Sequence, residues 1–307
     1  MKLLYTAPIS LDMEDRLKKL GYDVVFKKEK DLKAGDIEGV EVLVGLNPFT
    51  RLDIRDTRLK FIQLSTQGVN HLPQEGLEGV LVANNRGGYA IPIGEWIVTK
   101  ILESYKRTSN IYSLQKNHEW KKDFEIQELT GKKVLFVGTG TIAQEAAKRL
   151  EAFGVEIYGL NRSGQPTEYI RDVRTMDQLG DLISQIDVFV PVLPLTPATM
   201  DLIDESMIRS MKVGSVLINI SRGDVVDEEA LIKEADKFLA IHLDVLKQEP
   251  LDQDSPLWDM DNVFISAHTS WVSEYVDGRR EDLVYENLRR FIQGEEILNR
   301  VDLKRGY

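Results

Sequence analysis

Three side chains able to do carboxylate and acid–base chemistry each stand just beyond a run of β-forming residues. Arg222 follows GSVLINI in INISRG, Glu249 follows FLAIHLDV in LKQEP, and His268 follows NVFIS in SAHTS. A guanidinium is a permanent two-pronged donor for a carboxylate, and an imidazole titrates near neutrality and can pass a proton. A carboxylate beside that imidazole would orient it and favour its charged form. A fourth feature, VLFVGTGTIA, places Gly138, Gly140 and Ala143 in G-x-G-x-x-G/A spacing between a strand-like and a helix-like run. Gly138 would allow a tight turn, Gly140 would let backbone approach a pyrophosphate, and Ala143 would let helix and strand pack closely. The first free amides of that helix, at Thr141 and Ile142, would then meet the phosphates. This context predicts a dinucleotide site.

In such a unit the second strand ordinarily ends in an acid that binds the ribose hydroxyls, about 20 residues on. VEIYGL ends instead in Asn161-Arg162-Ser163. A guanidinium and a hydroxyl suit a 2′-phosphate, which a carboxylate would repel. The expectation is therefore NADP in preference to NAD.

The elements that must position these residues read as alternating strands and helices. The first ninety residues give strands at KLLYTA, YDVVF, VEVLVG, KFIQL and GVLVAN, with a helix at MEDRLKKLG. A long helical pattern then spans about Ile91 to Lys116, and a polar arm, NHEWKKDFEIQELTGKK, follows. Beyond it come strands at KKVLFVG, VEIYGL, IDVFVPVLP, GSVLINI, FLAIHLDV and NVFISA, with helices at IAQEAAKRLEAFG, ESMIRSMK and DEEALIKEA and a last helix from Ser273 to about Ile292. Val- and Ile-rich runs separated by helices predict a parallel sheet covered on both faces. The expected fold is α/β: a Rossmann-type doubly wound cofactor domain at 96–270, and a smaller flavodoxin-like substrate domain built from 1–95 and 271–307. Ligands of open α/β sheets bind beyond the carboxyl ends of strands, where Arg222, Glu249 and His268 would all lie.

Composition narrows the chemistry. The 307 residues carry 39 Lys plus Arg against 50 Asp plus Glu, a net charge of −11, which argues against nucleic acid and anionic membranes as partners. With no cysteine, thiolate catalysis, disulfides and Cys-ligated zinc or iron–sulfur clusters are excluded, as suits the cytoplasm. VFVPVLPL is too short to span a bilayer, and MKLLYTAPIS reads as a first strand rather than a secretory signal. His71, His118 and His242 share no metal-ligand spacing and are expected to be structural; no metal is expected.

INISRGDVVDEEAL, HLDVLKQEPL, SPLWDMDNVFISAH and LPLTPATMDLI resemble the motifs of the D-isomer-specific 2-hydroxyacid dehydrogenases, a family that includes phosphoglycerate dehydrogenase and the glyoxylate/hydroxypyruvate reductases. KFIQLSTQGVN and IGEW extend the resemblance over essentially the whole chain. It implies hydride transfer between NAD(P)H and a small 2-oxo or 2-hydroxy acid. Arg222 would bind the substrate carboxylate and polarise its carbonyl, His268 would protonate the carbonyl oxygen, and Glu249 would hold the imidazole. Gln67 and Gly68 would cradle the carboxylate through backbone amides. Asp244 would meet the nicotinamide carboxamide, and Ile220 is counted with the cofactor-binding residues. The resemblance also implies a homodimer joined through the arm, where Trp120, Phe124 and Ile126 interrupt a polar segment. A dinucleotide-sensing interaction protein, like the corepressors of the same family, is the alternative. The sequence departs from the family pattern at Asn161, at Ala267 where a proline is usual, and at Trp271 where small residues are common. The indole would either narrow the pocket or pack at a boundary. An end at Tyr307 leaves no room for an added regulatory domain.

Overall fold

The computed structural model describes residues 1–305. The first unit contains β1 (Lys2–Tyr5), α1 (Leu11–Lys19), β2 (Asp23–Phe26), β3 (Val42–Gly45), β4 (Phe61–Leu64) and β5 (Leu81–Ala83). All five strands pair in parallel, in the order β2-β1-β3-β4-β5. Side chains alternate across the sheet: Leu3 and Tyr5 join Met13 and Leu17 of α1 on one face, while Leu4 joins Ile37 and Val40 on the other. Both faces are covered at the central strands β1, β3 and β4, whereas edge strand β2 is largely exposed. The side chain of Ser10 accepts from Met13 N and caps α1, whose last turn carries Arg16, Lys18 and Lys19 against the helix dipole.

The second unit runs through α2 (Ala90–Tyr105), α3 (Thr108–Lys116), β6 (Lys133–Val137), α4 (Thr141–Leu150), β7 (Glu156–Asn161), β8 (Asp172–Thr175), α5 (Leu179–Ile183), β9 (Val188–Pro191), α6 (Glu205–Ser210), β10 (Val216–Asn219), α7 (Glu228–Lys233), β11 (Ala240–Leu243) and β12 (Val263–Ile265). Its seven parallel strands are ordered β12-β11-β10-β9-β6-β7-β8. The chain moves outward from β6 to β8 and then returns to β9 on the other side of β6. That reversal makes the carboxyl edge between β6 and β9 the topological switch point, the usual place for a ligand.

The chain then re-enters the first unit as α8 (Val276–Gln293), whose Val284 and Leu288 pack into the α1 face. Beyond it, Arg300 bridges Ala83 and Val301 N donates to Val82 O at 2.8 Å, securing the edge at β5.

Compact units divide at 89/90 and 272/273, against 95/96 and 270/271 in the sequence reading. The six-residue difference arises because α2 belongs to the second unit from its first residue. Its Gly94 sits so close to α4 that an added Cβ would lie 2.9 Å from Glu145 Cβ and 3.0 Å from Ala146 N.

Two other expectations change. The helix anticipated over 91–116 is two helices, broken at Arg107, which adopts φ +50°. There Arg107 turns to the arm, pairing with Asp123 at 2.7 Å and Glu125 at 2.9 Å. Edge strand β8 and short α5 were not anticipated, because DVRT has neither the apolar run nor the burial of its neighbours.

Candidate active site

At the switch point the glycine turn has the form its spacing implies. Gly138 adopts φ +101°, and a Cβ there would lie 2.3 Å from Val192 O, just past β9. No residue but glycine fits. At Gly140, by contrast, an added Cβ would meet nothing within 4 Å, so the backbone before α4 borders open space. Thr141 opens α4, where the first amides lack intrahelical acceptors, and its buried Oγ1 has no hydrogen-bond partner. Bare backbone, free helix amides and an orphaned hydroxyl fit a pyrophosphate.

Asn161, the last residue of β7, organises the next loop. Its Nδ2 donates to Thr139 Oγ1 and to Gln165 O, each at 2.9 Å, and its Oδ1 accepts from Ser163 N at 3.0 Å and Ser163 Oγ at 3.1 Å. The carboxamide and the Ser163 hydroxyl are thereby engaged within the loop, while Arg162 is exposed. The same turn recurs at the end of β10. Asn219 Oδ1 accepts from Ser221 N at 3.1 Å and Ser221 Oγ at 2.8 Å, and Asn219 Nδ2 donates to Arg222 O at 3.1 Å. Sequence reasoning missed Thr139 and Asn219; Asn-x-Ser after an apolar strand is the legible signal. Ile220, between Asn219 and Ser221, is buried.

Arg222 donates to Ser221 O at 2.6 Å. Burial lowers its guanidinium below the ordinary value, and the nearby Glu249 charge opposes that shift. Gly223 fixes the approach of the two segments: a Cβ there would lie 2.0 Å from Leu246 C. Leu246 N in turn donates to Glu249 Oε1 at 3.0 Å, leaving Oε2 for His268 Nδ1 at 2.9 Å. With Nδ1 committed to the carboxylate, Nε2 is the nitrogen left for proton transfer.

Asp244 is 1% exposed, and its carboxylate is surrounded by donors from the histidine loop. Oδ1 accepts from Ser266 Oγ, Thr269 N and Ser270 N, and Oδ2 from Ser270 Oγ. Its carboxylate therefore holds the loop that carries His268. The same bonds hold this loop although Ala267 replaces the usual proline.

In the first unit, the loop after β4 is held by its carbonyls. Asn84 Nδ2 donates to Gln67 O at 2.7 Å, and Thr66 Oγ1 donates to Gly68 O at 2.9 Å. His242 is buried, bonded to Ser104 Oγ at 2.8 Å and stacked on Phe264. Burial lowers it to about 3, with Lys100 adding to the effect, so it is a neutral core residue at physiological pH. Among the described residues, no group of three or more His, Asp or Glu could hold a metal, and no helix is long and apolar enough to cross a membrane.

A doubly wound sheet with a glycine turn at its switch point, and an Arg, a Glu and a His at neighbouring strand ends, defines a dinucleotide-dependent oxidoreductase. Residues 98–270 match the model of the NAD-binding domain of the D-isomer specific 2-hydroxyacid dehydrogenases. The chain belongs to that family of NAD(P)-dependent enzymes. It is 32% identical to a glyoxylate reductase of Thermofilum pendens over 77% of this chain and 73% of the relative. It is 29% identical to a D-3-phosphoglycerate dehydrogenase of Methanocaldococcus jannaschii over 99% of this chain, but only 60% of that relative. Among solved structures, a D-isomer specific 2-hydroxyacid dehydrogenase from Xanthobacter autotrophicus Py2, in complex with NADPH and MES, superposes with a TM-score of 0.83 at 26% identity, covering 100% of this chain and 99% of that one. The comparisons give no support to the dinucleotide-sensing alternative.

Proposed function

We propose that the protein reduces a small 2-oxo acid of the glyoxylate or hydroxypyruvate type to the 2-hydroxy acid, with NADPH preferred. The observation that carries the reading is the 2.9 Å bond between His268 Nδ1 and Glu249 Oε2, with Glu249 close enough for its charge to act on the Arg222 guanidinium. A bound nicotinamide dinucleotide supplies the hydride. Arg222 holds the substrate carboxylate and polarises the carbonyl by a charge-assisted contact. His268 gives its Nε2 proton to the carbonyl oxygen as charge develops there, and Glu249 keeps the ring in the productive orientation. In the first unit, the backbone amides of Gln67 and Gly68 are suited to a carboxylate. Gly138, Gly140, Thr141 and Ile142 hold the pyrophosphate, and Ile220 lines the same edge.

Arg162, exposed beside the adenosine-ribose position, supports NADPH over NADH. A homodimer is supported by the arm and α3, where Trp120, Phe124, Tyr112 and Ile126 are exposed on one unit. Absence of cysteine suits the cytoplasm. The deciding experiment is a panel of 2-oxo acids assayed with NADH and NADPH, alongside sedimentation of the native protein. Bound cofactor without turnover across the panel refutes the enzymatic reading, and sedimentation at one chain mass refutes the dimer.

A further inference from the structure

We propose that Trp271 is a positioning residue for His268, holding the histidine backbone in the one conformation that keeps its imidazole on Glu249. The inference rests on the reading of His268 as the proton donor.

His268 adopts φ +53°, a left-handed conformation uncommon outside glycine, although histidine is among the side chains that enter it more often. Hydrogen bonds hold it from opposite sides. His268 N donates to Asp244 O at 2.9 Å and to Ser266 O at 3.0 Å, and Trp271 Nε1 donates to His268 O at 2.8 Å. Together they fix the peptide planes before and after the histidine α-carbon. Asp244 also anchors the residues between, through Thr269 N and Ser270 N, and Val272 N closes onto Thr269 O at 3.0 Å. The only bond in this set that comes from a side chain to the histidine itself is the indole's.

The indole N–H has a defined partner. The residue is 39% exposed, yet its single polar atom is spent on the backbone oxygen of the acid–base residue. Ala267 removes the ring that would otherwise restrain the chain immediately before His268. The indole N–H supplies a restraint from the other side.

The test is Trp271→Phe, which keeps an aromatic ring and deletes the donor. The expected result is a fall in kcat of about tenfold, as a small misplacement of a reacting group produces, with KM for the 2-oxo acid changed less than about threefold. NADPH affinity, read by quenching of tryptophan fluorescence with a reference titration of each variant, stays within about twofold. The same substitution is then made in a His268→Asn background, since Asn tolerates the left-handed region. There Trp271→Phe should leave the residual rate unchanged. Wild-type kcat in the single variant overturns the proposal, as does an equal fold loss in both backgrounds, which marks a merely structural role. Wild-type kcat in His268→Asn alone overturns the underlying acid–base reading instead.

Discussion

Asn161 Nδ2 donates to Thr139 Oγ1 at 2.9 Å, so the end of β7 is tied directly to the middle of the glycine turn. A carboxylate at position 161 could still accept from Ser163 N but could not donate to Thr139 or Gln165. Asn161 thus fixes the loop while leaving the end of β7 without a carboxylate.

The proposed preference for NADPH is tested at this loop. With the Ser163 hydroxyl engaged by Asn161, Arg162 is the residue expected to meet the 2′-phosphate. Arg162→Ala should lower kcat/KM for NADPH by about ten- to a hundredfold, from a charge-assisted contact of about 1.5–3 kcal/mol, with NADH use little changed. Asn161→Asp should shift preference toward NADH by adding repulsion. Steady-state kinetics with both cofactors and one good 2-oxo acid decide it; equal or better use of NADH by the wild type defeats the NADPH assignment.

The fold was legible in the sequence because strands buried on both faces leave long apolar runs, and KVLFV, VLIN and AIHL are of that kind. β8 left no such run, since Asp172, Val173, Arg174 and Thr175 lie at an edge and none is fully buried. Arg222, Glu249 and His268 were readable because each follows a strong strand. Their supports were not: Asn219 and Asp244 look like ordinary strand-end residues until the turns they hold are seen. The break at Arg107 was hidden for a similar reason, because its cause is Asp123 in the arm, sixteen residues away in sequence. Contacts made across a fold leave little local pattern.

The proposed role of Arg222 is to bind the substrate carboxylate. Replacing it with Ala should cost kcat/KM for the oxo acid by about 2–4 kcal/mol and leave NADPH affinity nearly intact. Lys should recover only part of the loss, because a point charge cannot reproduce two-pronged binding. A wild-type kcat/KM in either variant removes Arg222 from the site.

In the proposed mechanism Glu249 acts through His268, so its loss should appear in turnover rather than binding. Glu249→Gln preserves size and an acceptor for Leu246 N but removes the charge facing Nδ1. A fall in kcat of about tenfold or more is expected, with NADPH affinity unaffected. In a His268→Asn background the same substitution should have little further effect on kcat. Independent, multiplicative losses from the two sites would show that the 2.9 Å pair is not a functional unit.

The remaining prediction concerns stability. His242 is held at about 3 by burial, against roughly 6.5 for an exposed histidine. Between those values the unfolded chain takes up a proton at this position and the folded chain does not. The contribution of neutral His242 is therefore complete above about pH 6.5 and is lost progressively as pH falls toward 3, at about 1.4 kcal/mol per pH unit. Many carboxylates also titrate on the acid side, so the informative quantity is a difference between proteins. His242→Gln removes the titrating ring while keeping a donor and an acceptor for Ser104. It should be less stable than the wild type at pH 7.5, through lost stacking on Phe264, yet lose about 2 kcal/mol less between pH 6.5 and 5. Urea unfolding of both proteins across that range measures the difference, and parallel stability–pH curves would show that His242 already carries the proton in the folded chain.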